Sequence, residues 1–163
     1  MLGLTTLGII HTAIGLVSIG FGFWALARDR EILWNRLGQA YLLLTFITAA
    51  TGLPIFRHGG FGPPHALALM TFGALALGTL AASTQLFGAW SRVVRIVSLT
   101  STFLFHAIPG FTESLIRLPV AKPFAASPED PVMRPIYATL LVLFAIGLWL
   151  QLRRRKAAVT VAA

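Results

Sequence analysis

Five apolar runs, each about as long as a bilayer's hydrocarbon core is thick, constrain this chain more than any other feature. They cover residues 4–26, 37–56, 66–87, 93–112 and 136–152. A helix rises about 1.5 Å per residue, so roughly 20 residues cross a core about 30 Å thick. Between the runs lie a charged turn, A-R-D-R-E-I-L-W-N-R, a loop, R-H-G-G-F-G-P-P-H, and a proline-rich connection, L-P-V-A-K-P-F-A-A-S-P-E-D-P-V. Glycine and proline in such density end helices. No alternating segments of about 10 residues call for a β-barrel. The expected fold is therefore all-α: one polytopic transmembrane bundle of five spans over residues 1–163, with an outer loop at 113–134 and a cytoplasmic tail at 153–163.

Charged residues make up 11% of the chain, against about 25% in soluble domains. The net charge of +8 does not point to nucleic acid, because the basic residues sit in short clusters between apolar runs. Cysteine is absent, which excludes disulfides, thiolate metal sites and thiol catalysis. The first apolar run starts at Met1 with no Lys or Arg before Arg28, so it reads as a permanent span rather than a cleavable signal.

Five spans put the two ends on opposite sides. Arg28, Arg30, Arg36, Arg92, Arg95, Arg153, Arg154, Arg155 and Lys156 then share one side, and Arg57, Arg117, Lys122 and Arg134 the other. The positive-inside rule puts the richer side in the cytoplasm and the N-terminus outside, as in a multi-pass protein of the bacterial inner (plasma) membrane. Trp24, Trp34, Trp90 and Trp149 fall at the predicted cytoplasmic interface, where they form an aromatic belt. Arg95, near the inner end of its span, is expected to snorkel to lipid headgroups.

The fourth span carries a polar stripe. Thr102, His106, Glu113 and Arg117 recur at steps of four, seven and four, which is one helical face. Pro109 and Gly110 lie between them and can kink the helix. An ionisable residue inside a span is a functional-site hypothesis by default. Threading the spans brings His11 and His106 to a similar depth beneath the outer surface, with His58 and His65 flanking the outer loop. Neutral imidazole is a good ligand for haem iron or a bare metal ion. Small residues beside His11 (Gly8, Thr12, Gly15) allow close approach of a flat macrocycle or another helix. Glu113 is a candidate proton site, metal ligand or hydrogen-bond partner of a ligating residue, and Arg117 can pair with it or with a propionate. The same residues also fit a plainer reading: histidines bonded to hydroxyls of neighbouring helices, and an i,i+4 ion pair. Tyr41, Thr45, Thr48 and Thr51 on the second span, and Thr79, Ser83 and Thr84 on the third, read as interhelical hydrogen-bonding groups.

The segments H-T-A-I-G and R-L-G-Q-A-Y, through His11, Gly15, Arg36, Leu37, Gly38 and Tyr41, resemble an uncharacterised bacterial family of small polytopic membrane proteins, a domain of unknown function. The resemblance covers roughly residues 8–118. That family is similar in architecture to small membrane b-type cytochromes, which hold haem with helix histidines. What the resemblance implies is haem binding. The two-haem pattern needs histidine pairs at both faces, and the inner half here has none, so one haem is the maximum.

The leading expectation is a bundle binding one b-type haem for electron transfer or haem sensing. His11 and His106 are the axial or metal ligands, His65 the substitute ligand and Arg117 a cofactor contact. A quinone or a partner membrane subunit would complete any redox path, and a homo-oligomer is a further option. The alternative is a non-redox accessory or scaffold subunit, or a small transporter with a protonatable His106–Glu113 site. No nucleophile–base–acid set is visible, so any enzymatic role reduces to that of a redox carrier.

Overall fold

The computed structural model describes residues 5–55 and 60–153. Five helices account for most of them: α1 (Thr6–Asp29), α2 (Arg36–Gly52), α3 (Pro63–Ser83), α4 (Ser91–Leu115) and α5 (Met133–Arg153). There is no strand among the described residues. Four helical segments are long and apolar enough to cross a membrane: Thr6–Asp29, Pro63–Ser83, Gly88–Leu115 and Met133–Arg153. The last includes α5, and the third joins α4 to a short 3-10 turn at Gly88–Trp90.

α2 is shorter than the expected 37–56 span. It has 17 residues, or about 26 Å at 1.5 Å per residue. Its ladder stops where Pro54 brings no N–H; Leu53 N still reaches Ala49 O at 3.3 Å, but Ile55 N turns back to Gly52 O at 3.1 Å. α3 starts earlier than expected because Pro63 and Pro64 occupy its first two positions, where a missing N–H costs nothing. α4 runs through Pro109 to Leu115, so the connection to α5 begins three residues later than the expected 113. His58, Phe56, Arg57, Leu4 and the basic residues Arg154 to Lys156 lie outside the described residues.

Caps fix the helix starts. Thr5 Oγ1 accepts from Gly8 N at 3.1 Å, and Asn35 Oδ1 accepts from Gly38 N at 2.9 Å. Each satisfies an N–H that the helix cannot. Asn35 also donates to Asp29 Oδ2 at 2.8 Å, which ties the α1–α2 turn together.

α1, α2, α3 and α4 form a ring in which each packs on the next and α4 returns to α1; α5 packs on α4 from outside. The register can be read from side-chain contacts. Ser18 meets Thr45 at 3.0 Å and a Cβ on Gly15 would meet Thr48 at 3.3 Å, so α1 and α2 are antiparallel. Thr100 meets Gln151 at 3.0 Å and Thr112 meets Tyr137 at 2.9 Å, so α4 and α5 are antiparallel too. All four tryptophans, each more than half exposed, therefore lie at one end. We call it the tryptophan end and the opposite one the histidine end.

Glycines set the closest approaches. A Cβ on Gly22 would sit 2.7 Å from the Tyr41 ring and 2.8 Å from Phe103, and one on Gly78 would sit 2.3 Å from Leu99. The apolar core is Ile32, Leu42, Leu75 and Leu99 around Tyr41, with Phe21, Leu26 and Phe103 against it. It closes the ring at the level of Tyr41 and on toward the tryptophan end. At that end Glu31 receives Arg92 at 3.0 Å and Arg95 at 2.8 Å, while Arg92 also donates to Gln151 O at 2.9 Å. Arg95 thus does not snorkel away to headgroups as expected. Glu31, placed by the α1–α2 turn, holds it against the bundle.

A histidine site at one end of the bundle

Polar side chains enter the ring in layers from the histidine end. In the first layer, His11 Nδ1 meets Thr51 Oγ1 at 3.2 Å. Thr51 Oγ1 donates its own proton back to Ile47 O at 2.8 Å, so it accepts from His11 and Nδ1 is the protonated nitrogen. A Cβ on Gly52 would lie 3.0 Å from His11 Cε1; glycine there leaves space for the ring. Gly8 and Gly15 are buried and Thr12 is exposed. Gly15 admits α2.

Glu113 closes this layer on α4. Its carboxylate is paired with Arg117 and is half exposed. His11 lies close enough to feel its charge. The Glu113–Arg117 pair is the i,i+4 pair anticipated from spacing, with Arg117 just past the helix end.

His65 enters the same end from α3. It is buried, stacks on Phe61 with ring centroids 5.4 Å apart, and its Nδ1 accepts from Gly62 N at 3.1 Å. An accepting Nδ1 puts the proton of neutral imidazole on Nε2. His65 in that form caps α3.

His106 lies deeper, on α4. Its Nδ1 is 3.2 Å from Thr102 O. A carbonyl only accepts, so Nδ1 carries the proton and the Nε2 of the neutral ring bears a lone pair. The residue is 7% exposed, and Nε2 has no hydrogen-bond partner among the described residues. Buried polar atoms are nearly always paired, and an exception calls for a reason.

Beneath His106, Tyr41 OH and Thr102 Oγ1 share a bond of 2.7 Å across the ring from α2 to α4. Thr102 Oγ1 donates to Leu99 O at 2.7 Å, so Tyr41 is the donor between them. Tyr41, Thr102, Ser18 and Thr45 are all fully buried. This hydroxyl layer was only half visible in the sequence. The threonine stripe of α2 was evident, and three of its four members do reach another helix. Thr48 instead bonds back to Leu44 O at 2.8 Å, as Ser83 of α3 and Thr84 just past its end do to Thr79 O and Leu80 O.

The depths of the two helix histidines differ. A Cβ on Gly110 would meet Ile19 Cδ1 at 3.3 Å, and one on Gly22 would meet Phe103. That register sets the end of α4 near Glu113 opposite His11, and His106 opposite the middle of α1. Seven positions separate 106 from 113, or about 10 Å. The common depth expected from counting residues inward from each helix end is thus corrected. That count assumed α4 ended at Thr112, and α4 runs on to Leu115. No group of three or more His, Cys, Asp or Glu able to hold a metal occurs among the described residues.

No protein-family model, curated protein or solved structure matches this chain. The reading of its function therefore rests on the geometry above.

Proposed function

We propose that the chain is an integral membrane protein of five crossings that accepts a proton, or the N–H or O–H of a small polar ligand, at His106 from the histidine end. α2 counts as the fifth crossing because it lies antiparallel to α1 within the ring. The excess of basic residues at the tryptophan end orients that end toward the cytoplasm of a bacterial cell. The histidine end then faces outward, where Glu113 is half exposed.

The observation that carries this reading is the buried, unpartnered lone pair on His106 Nε2. Its chemistry selects a donor, since a lone pair only accepts. The apolar core around Leu99 closes the way to the tryptophan end. The site is thus one-sided, as suits a proton-responsive accessory subunit. A through-going polar path, which a transporter needs, stops at Tyr41 and Thr102.

A second reading, one haem or metal ion on His106 alone, is favoured by one specific contact. A ligating imidazole donates its other N–H to a carbonyl or carboxylate, and His106 does so to Thr102 O. His11, expected as the opposing ligand, is engaged through Nδ1 with Thr51 Oγ1. If a haem is bound there, it supplies redox chemistry; the chain supplies one oriented imidazole and a buried setting.

An absorption spectrum of the purified protein, oxidised and then reduced, separates the readings. The proposal expects a colourless protein from haem-replete cells, with metal analysis at background. A Soret band and a sharp reduced α-band, both lost in His106→Ala, would replace it with the second reading.

A further inference from the structure

The connection from α4 to α5 is tied back to both helices at the histidine end. Ala125 N donates to the carbonyl of Leu115, the last residue of α4, at 3.1 Å. Farther on, Pro128 O lies 3.4 Å from Tyr137 OH, the hydroxyl that meets Thr112 Oγ1 at 2.9 Å. Ala125 and Met133 are buried, so the connection is seated on the bundle rather than projecting from it.

These ties fix its depth. α5 has 21 residues, about 30 Å at 1.5 Å per residue, which is the thickness of a hydrocarbon core. Crossing therefore uses its whole length, and its first turn lies at the edge of the core. The residues tied to that turn and to the last turn of α4 lie at the same level.

Residues 118–124 form a closed turn there: Phe124 N donates to Leu118 O at 3.2 Å and Lys122 N to Pro119 O at 3.1 Å. Its apolar side chains point away from the bundle. Leu118, Val120 and Phe124 are 49%, 61% and 68% exposed. In water such a patch marks a binding surface. Here the apolar surface continues that of the span. Leu118 N bonds Ser114 O at 2.9 Å, so the helical turn carries on past Leu115. Leu118 thus falls two turns beyond Phe111 on one face, and Phe111 is half exposed within the spanning segment. Lys122, exposed on the same turn, has an apolar stem that can lie along this surface while its ammonium reaches phosphate.

We propose that this turn is seated in the bilayer itself, with Leu118, Val120 and Phe124 at the boundary of headgroups and acyl chains and the Lys122 ammonium among the phosphates. Its partner is a lipid surface. The inference rests on α5 crossing the membrane; it does not depend on which end faces outward or on any role for His106. α5, which packs on α4 from outside the ring, thereby gains a hold on the membrane surface beside its own span.

The chain has no cysteine, so a single nitroxide can be attached to Phe124→Cys or, separately, to Val120→Cys in lipid vesicles. Collision rates with oxygen and with a water-soluble nickel chelate read its depth, and helicity equal to the parent's checks the fold of each variant. The expected result at both positions is a label about 5–10 Å into the interface, deeper than one on Glu129→Cys and shallower than one on Leu143→Cys. Labels at 120 and 124 as open to nickel as the one at 129 would overturn the seat. Labels shielded from both oxygen and nickel would overturn it too, and would show that protein covers the turn. A Leu143→Cys label in water would overturn the crossing of α5 and the seat with it. The spectrum of the unlabelled protein tests His106 separately, so either proposal can fail alone.

Discussion

Tyr41 donates to Thr102 Oγ1 at 2.7 Å through the middle of the ring, and both side chains are fully buried. Thr102 passes its own proton to Leu99 O, so the bond has one direction. Interhelical hydrogen bonds in membrane proteins are worth on average about 0.6 kcal/mol, up to about 1.7. Tyr41→Phe is therefore expected to destabilise the bundle by roughly 0.5–1.5 kcal/mol. A double-mutant cycle with Thr102→Val in reversible unfolding checks it; additive losses would show that the two hydroxyls are not coupled.

Gly38 stands at the third position of α2, its N–H held by Asn35, and a Cβ there would sit 1.8 Å from Leu33 O. The obstacle is backbone and cannot rotate away. Gly38→Ala should cost more than about 3 kcal/mol and leave little folded protein in a detergent melt. Gly20→Ala, where nothing lies within 4 Å, is the control and should be neutral or slightly stabilising because alanine favours helix.

Glu31 joins the α1–α2 turn to α4 through Arg92 and Arg95, and its side chain is 15% exposed. Glu31→Gln leaves two cations facing one another without their acid. A fully buried pair broken in this way costs about 3–5 kcal/mol; partial exposure reduces this to about 1–3 kcal/mol. The loss should be greatest at low salt, since screening weakens the repulsion between Arg92 and Arg95. Thermal melts across a salt series measure it, and a neutral effect would show that the cluster is solvated.

In the connection before α5, Asp130 accepts from Ala126 N at 3.0 Å and from Val132 N at 3.1 Å. These bonds hold its carboxyl below the ordinary value of 3.8. A carboxyl depressed on folding stabilises the loop above its unfolded pKa, and that contribution is lost as pH falls through the folded one. Protection factors at Ala126 and Val132, which divide out the intrinsic slowing of exchange in acid, should be high at neutral pH and fall on acidification. Asp130→Asn should remove that fall, and protection that does not change with pH would contradict the contact.

The helical class and the placement of four spans were legible in the sequence because lipid demands long uninterrupted apolar runs. The end of α2 was less legible: its apolar pattern continues past Pro54, while the hydrogen-bond ladder does not. The Glu113–Arg117 pair followed from helical spacing alone. The depth of His106 relative to His11 did not, because it depends on how α1 and α4 cross, and that is fixed by Gly22, Phe103, Gly110 and Ile19. Nor could spacing reveal which nitrogen of His65 is engaged. Glu31 was counted with the charged turn; its two arginine partners lie more than 60 positions away.

His106 keeps its proton on Nδ1 and presents a bare, buried Nε2. Nitrogen-15 magnetic resonance of histidine-labelled protein in bilayers reads it directly, with His106→Gln assigning the signal. A neutral Nδ1–H imidazole that takes up a second proton on acidification is expected. An Nε2–H tautomer that shows no change with pH would contradict it.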